Sequence, residues 1–425
     1  MSNHFIFDNW IIRDKMKQDG IKLAMAVFVS VAVLIAFMKS GAYNRISPLF
    51  EYLNNAAFTS GSENRSSDGD VEEPKSLQEM ETEFCNSLDF RDSLIELNGA
   101  MAKKLGMRGF YSDMGMYVLK GQYVISASDF TTTDFEVSQM ISFKEFLDEN
   151  GIGLLYVNEP TKYTDDTIFE REFGVESYCN RNADLFLERI EDAGIKTLDL
   201  RKCLEEDEIA IEDAFYRTDH HWKIETALWA AEKIAIALNE KMGHQIDLSI
   251  YDAGNFTRRK FENCWVGEQG LKLAQSYVGA DDFTLIEPEF ETNFQFTFED
   301  GLSFDGTFDN FLNKKIIEEY ENNEVPKENE SWYYIYSQRS CINRNVNSGK
   351  VLILGDSYEH AMEPFLALGL HETDVLVLRG TEEDFDLRSY ILENGYDTVI
   401  IAYAEFMIGA HDDVNNSNYK MFELE

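Results

Sequence analysis

Apolar positions in this chain fall into two patterns, helical stripes and short unbroken runs, and the two alternate. Met140, Phe143, Phe146 and Leu147 recur at helical spacing ahead of Gly151, which suits a helix stop. GLLYVN (Gly153 to Asn158) then reads as a buried strand closed by Pro160. Leu185, Leu187, Ile190 and Ala193 predict a second helix, and IKTLDL (Ile195 to Leu200) a second strand. A third stripe, Ile224, Leu228, Ala231, Ile234 and Leu238, ends near Gly243. VLILGDS (Val351 to Ser357), a helix through Leu370, DVLVL (Asp374 to Leu378) and DTVIIAY (Asp397 to Tyr403) complete the series. This alternation predicts an α/β domain whose sheet is mostly parallel and flanked by helices. One stretch departs from it. Phe294, Phe296 and Phe298 alternate with polar residues, the period of a half-buried antiparallel strand, so an inserted β-containing segment is expected at about 271–345.

The N-terminal pattern is different. Leu23 to Met38 is uncharged over sixteen residues and is flanked by Lys22 and Lys39. With snorkelling lysines such a run spans a bilayer. Arg13, Lys15, Lys17 and Lys22 favour an N-terminus inside the cell. The expected layout is a cytoplasmic leader (1–22), a single transmembrane signal-anchor (23–39), a polar tether (40–76) and an extracellular domain (77–425), hence a single-pass protein of the cell membrane. The rival is a cleaved signal peptide, with Ser40 and Ala42 as the small-residue pair. Gly61 to Lys75 has almost no apolar residue and reads as part of the tether.

Composition narrows the partners. The 78 acidic and 38 basic residues leave a formal charge of −40, while 44% of residues are hydrophobic. That is core enough for a folded domain, and the charge excludes sequence-independent binding to nucleic acid. Nine of the acidic residues lie between Asp281 and Asp309, without one Lys or Arg. A neutral glycan therefore suits the protein better than an anionic one. Cys85, Cys179, Cys203, Cys264 and Cys341 are scattered, with no zinc spacing. Outside the cytoplasm an odd count leaves at least one free thiol, and five unpaired core cysteines fit equally well.

Ser357 lies where a buried strand turns into an apolar-faced helix. A serine there projects from the sheet's carboxyl edge, where the first N–H groups of the helix can hold an oxyanion. Gly355 permits a tight turn and a close approach of backbone to substrate. Taken alone, Gly-Asp-Ser is more often an ordinary helix cap. A hydroxyl also needs a base. Seven histidines are available, and His220 and His221, beside Asp219 and ahead of the third stripe, are the best placed. Asp219 can fix an imidazole tautomer, and Trp222 can anchor the loop. Two other uses compete: Asp219 as a helix cap, and the pair as zinc ligands. In an extended stretch adjacent histidines point to opposite faces, which suits one base better than two ligands.

TDHHW (Thr218 to Trp222), followed by GDSY (Gly355 to Tyr358), resembles the DHHW proteins, relatives of the SGNH-like alginate O-acetyltransferases. EPTK (Glu159 to Lys162), VGADDFTLIEPEFETNF (Val278 to Phe294) and YDTVIIAYAE (Tyr396 to Glu405) extend the resemblance over most of Gly106 to Glu405. The resemblance implies an SGNH-hydrolase-like fold. It implies catalysis by Asp219, His221 and Ser357, with His221 rather than His220 as the base, and no metal or other cofactor. Gly355, Tyr403 and Lys162 become substrate or oxyanion candidates, because no Gly-x-Asn-Asp block is present. A packed strand-end Tyr403 and a surface Lys162 are equally compatible with the sequence. The implied activity is O-acetyl transfer to a polysaccharide or oligosaccharide, with a membrane-bound acyltransferase as the possible source of acyl groups. A carbohydrate O-acetyl esterase with the same triad, or a non-catalytic glycan-binding scaffold, would carry the same residues. The phenylalanines between Phe283 and Phe311 are expected to be the buried face of strands rather than a sugar groove.

Overall fold

The computed structural model describes residues 91–110, 115–298, 301–313 and 338–425. The leader, the membrane segment, the tether, Cys85 and the start of the domain at Leu77 lie outside them. Among the described residues no helix is long and apolar enough to cross a membrane.

The central sheet has eight strands: β4 (Gly153–Glu159), β5 (Lys196–Asp199), β8 (Phe294–Phe298), β9 (Ser303–Gly306), β10 (Gln338–Asn343), β11 (Lys350–Gly355), β12 (Glu372–Leu376) and β13 (Thr398–Ala404). They run β5-β4-β13-β11-β12-β10-β8-β9 across the sheet. The first five are parallel. The last three add on antiparallel, so the sheet is mixed, and these three strands all fall within the expected inserted segment at about 271–345. The unbroken apolar runs became the central strands because both faces there are covered. Val351 and Ile353 pack into one core and Leu352 and Leu354 into the other. The alternating phenylalanines became β8 near the edge, with Phe294 and Phe296 buried.

Two smaller sheets accompany it. One joins β1 (Gly109–Phe110), β2 (Met116–Val118) and β3 (Val124–Ser126). The other pairs β6 (Phe256–Trp265) antiparallel with β7 (Asp281–Pro288). β6 precedes the expected insertion at about 271–345, while its partner β7 lies inside it. Only Phe256, Phe261, Cys264 and Trp265 of β6 are buried, and a register shift between Phe261 and Trp265 breaks the alternation that would have revealed a strand.

The helices that frame the sheet and the site include α1 (Arg91–Leu105), α2 (Asp134–Glu149), α3 (Cys179–Asp192), α4 (Ile224–Ala237), α5 (Glu268–Leu273), α6 (Glu359–Leu366) and α7 (Leu387–Asn394). α4 and α6 pack against each other on the face that carries Val351 and Ile353. α2 and α3 cover the opposite face, around Phe143, Phe186 and Tyr156. Glu159, Ala404 and Gly355 end three adjacent strands at one carboxyl edge, where parallel α/β sheets place their ligands. Cys179, Cys203, Cys264 and Cys341 are all free thiols.

Candidate active site

Ser357 follows β11 by two residues and precedes α6 by two, so its side chain stands on the strand-to-helix turn. His221 reaches it from the bent segment before α4, with Nε2 2.6 Å from Ser357 Oγ. On the other side of the ring, Nδ1 lies 2.5 Å from Asp219 Oδ1, which also accepts the His221 backbone N–H at 2.9 Å. Asp219 Oδ2 takes the Glu268 N–H at 2.7 Å. Asp219 therefore fixes Nδ1 as the protonated nitrogen and leaves Nε2 to accept the Ser357 proton. Asp219 is almost fully buried. Burial alone would raise its pKa, but the charge of His221, the hydrogen bonds from its ring and backbone, and the charge of His220 outweigh this and hold the carboxyl well below the usual range.

The two loops are fastened to each other. Trp222 Nε1 donates to the Tyr358 carbonyl at 3.2 Å, and the Tyr358 hydroxyl donates to the His220 carbonyl at 2.6 Å. Asp356 Oδ1 accepts the Tyr358 N–H at 2.8 Å, and its Oδ2 accepts the Ala404 N–H at 2.8 Å, which ties the turn to β13. Tyr358 N–H is thus already engaged.

His220 sits beside the triad rather than opposite it. Its ring lies against His221 at 3.9 Å between centroids, tilted by 37°, because residues 217–221 are bent and the alternation of an extended strand does not apply. Burial, then the charge of His221, pull its pKa down to about 3, so it stays neutral. Asp219, His220 and His221 do cluster closely enough for a metal. Both ring nitrogens of His221 are nevertheless engaged, one by Asp219 and one by Ser357, which fits a relay better than a ligand set.

The remaining sequence candidates make structural contacts around this relay. Lys162 is buried, not on the surface. Its Nζ donates to the carbonyls of Arg217 at 2.8 Å and Asp219 at 2.7 Å, and to Gln269 Oε1 at 3.3 Å. It holds the base loop from behind. Burial pulls its pKa down to about 7 against the attraction of Asp219 and Asp281. Tyr403 is packed at a strand end: its side chain joins the core on the α2/α3 face and its hydroxyl donates to the Met421 carbonyl at 2.7 Å. Gly355 serves packing, since a Cβ there would lie 2.4 Å from Glu359 Oε2.

Several supporting residues carry no motif of their own. Asp281 Oδ2 accepts both the Thr218 N–H at 2.8 Å and its hydroxyl at 2.6 Å, and Oδ1 accepts the Arg217 N–H at 3.1 Å. Gly267 lets a second segment approach, because a Cβ there would fall 2.2 Å from Asp219 Oδ2. Asp281 belongs to the VGADDF stretch, the one sequence signal that pointed to it.

Ser357, His221 and Lys162 open on a cleft of about 1230 Å³. Phe130 and Asp129 line it on one side, and Phe406, Asp412 and Asp413 on another.

Residues 120–260 match the family model described as an SGNH hydrolase-like domain, acetyltransferase AlgX. That stretch contains Lys162, Asp219 and His221 and ends before Ser357. Among curated proteins none matches the chain. The fold is similar to Bacillus cereus PatB1 (TM-score 0.55, 20% identity, 73% of this chain and 100% of that one). PatB1 has also been solved with a sulfonyl adduct (0.55, 19%, 69% and 97%). A DHHW family protein from Eubacterium siraeum is similar to the same degree (0.54, 18%, 74% and 96%). The chain thus resembles the SGNH-like acetyltransferase domain in sequence over residues 120–260, and it shares the fold of PatB1 and of a DHHW family protein.

Proposed function

We propose that this chain is a membrane-anchored, extracytoplasmic O-acetyltransferase that modifies a surface polysaccharide through an acyl-enzyme on Ser357. The observation that carries the reading is the Ser357–His221–Asp219 relay, with contacts of 2.6 and 2.5 Å at the mouth of a large cleft. His221 Nε2 takes the Ser357 proton as Oγ attacks the carbonyl carbon of an acetyl ester, and Asp219 stabilises the imidazolium. The Ser357 N–H stabilises the tetrahedral oxyanion. On collapse, the alcohol of the donor leaves with the proton from Nε2. A sugar hydroxyl then gives its proton to Nε2 and attacks the acetyl-serine, and the proton returns to Oγ as the acetylated sugar departs.

The match to an acetyltransferase domain over 120–260 favours transfer over hydrolysis. Asp129, Asp412 and Asp413 along the cleft, together with the net charge of −40, favour a neutral glycan over an anionic one. The uncharged Leu23–Met38 run and the basic residues before it support an anchor with the catalytic domain outside the cell. A membrane-bound acyltransferase is then the natural source of acyl groups.

Product analysis with an acetyl ester donor and an oligosaccharide tests this. Acetylated sugar is expected. Free acetate alone identifies an esterase and rejects the transferase. If Ser357→Ala matches wild type in every assay, the protein is a binding scaffold.

A further inference from the structure

Beneath the Ser357 turn three carboxyl groups converge. Glu159 ends β4, while Asp356 and Glu359 flank Ser357, and one oxygen of each lies within 4.8 Å of the others. All are buried, at 0% exposure for Glu159 and Asp356 and 1% for Glu359. Asp356 is satisfied by the N–H groups of Tyr358 and Ala404. None of the four oxygens of Glu159 and Glu359 makes a hydrogen bond of normal geometry among the described residues, and the nearest donors to the Glu359 carboxyl are the backbone N–H groups of Asp356 and Glu359 itself. The glycine at 355 leaves the space that the Glu359 carboxyl fills.

Two ionised carboxylates cannot face each other unpartnered in a dry interior, with a third beside them. A proton between them supplies the missing donor. We propose that Glu159 and Glu359 form a proton-sharing acid pair that holds the Ser357 turn in position. These are positioning residues, and their link to catalysis rests on the acyl-transfer reading above.

The surroundings agree. Burial, followed by the neighbouring carboxylates, pushes both pKa values well above the usual range. Asp356 is the nearest other acid, and the phenols of Tyr156, Tyr358 and Tyr403 sense the cluster. Arg379 and His221 act on Asp356 from further away, and Glu405 is tied to Arg201 and Thr161. Glu363, one turn along α6, is buried as well. Because the folded values are raised, the pair's contribution to stability is fully present below about pH 4.5, the ordinary glutamate value, and is lost as pH rises through the folded values.

Difference infrared spectroscopy between neutral and alkaline buffer tests the pair directly. The wild-type protein is expected to show the carbonyl stretch of an undissociated acid. The same band should persist in Ser357→Ala, and part of it should vanish in Glu159→Gln and Glu359→Gln. Subtracting those spectra separates the pair from other buried acids such as Glu136 and Asp374. Glu159→Gln should also flatten the alkaline fall in melting temperature, by a few degrees at about pH 9. The alkaline fall in the rate at which a serine-reactive probe labels Ser357 should flatten with it. Identical bands in wild type and both variants would overturn the proposal. So would a divalent cation that raises the melting temperature of wild type but not of Glu159→Gln. The wild-type band and the melting curves need no catalysis, so they can fail or succeed independently of the acyl-transfer reading.

Discussion

Asp219→Asn is the most informative single change in the base loop. An asparagine of the same shape can keep the Glu268 N–H bond, made at 2.7 Å to Oδ2, through its own oxygen. Its amide NH₂ then faces His221 Nδ1, where the carboxylate now accepts at 2.5 Å. The ring must turn Nδ1 into an acceptor, which places the proton on Nε2 and points it at Ser357, 2.6 Å away. The base is then in the wrong tautomer. The substitution also removes the charge that stabilises the imidazolium, worth about 4 kcal/mol for a pair about 4 Å apart at an effective dielectric near 20. Wrong tautomer and lost charge together predict a fall in kcat of about 10⁴, or about 5.5 kcal/mol of transition-state stabilisation. The assay is turnover of an activated acetyl ester, with thermal unfolding as the control for fold. A loss of less than about tenfold, with the melting temperature unchanged, would refute the reasoning, because Asp219 would then do no more than cap the loop.

Other substitutions follow from the same geometry. Lys162→Met strips the donor from the Arg217 and Asp219 carbonyls, and each buried unsatisfied acceptor costs about 1–3 kcal/mol. Lower kcat and lower melting temperature together are expected, and unchanged kcat would free Lys162 of any positioning role. Gly267→Ala drives a methyl into Asp219, whereas Gly254→Ala meets nothing within 4 Å, so only the first should abolish probe labelling of Ser357. Equal labelling in both would refute the close-approach argument. Tyr358→Phe removes the hydroxyl bond to the His220 carbonyl, and a stability loss of about 1 kcal/mol is expected by denaturant titration. At low salt, neutral oligosaccharides should bind more tightly than anionic ones, with the difference shrinking as salt rises, and calorimetry reporting the reverse order would contradict the charge argument.

Much of this was legible in the sequence because the central strands are buried on both faces. Apolar residues dominate there, so the runs Gly153–Asn158, Val351–Ser357 and Asp397–Tyr403 marked the strands Gly153–Glu159, Lys350–Gly355 and Thr398–Ala404. The relay was legible because Asp219, His221 and Ser357 sit in two short motifs. Residues whose role depends on partners distant in sequence were not. Lys162 acts on carbonyls 55 and 57 positions away, and Tyr403 turns to Met421, on the far side of its strand from the Ala402 and Ala404 core. Glu159 and Glu359 are two acids among 78, and nothing local marks them as buried. The antiparallel edge was half legible, since β8 alternates cleanly, and in the separate β6–β7 pair the register shift hides the alternation of β6.

The central claim is that Ser357 carries the acyl group. Brief incubation of the domain with an activated acetyl ester, quenching in acid and peptide mass analysis tests it directly. One added acetyl group is expected on the peptide containing Ser357, absent in Ser357→Ala and strongly reduced in His221→Ala. Acetylation confined to other residues, or labelling of Ser357 that is indifferent to His221, would contradict it.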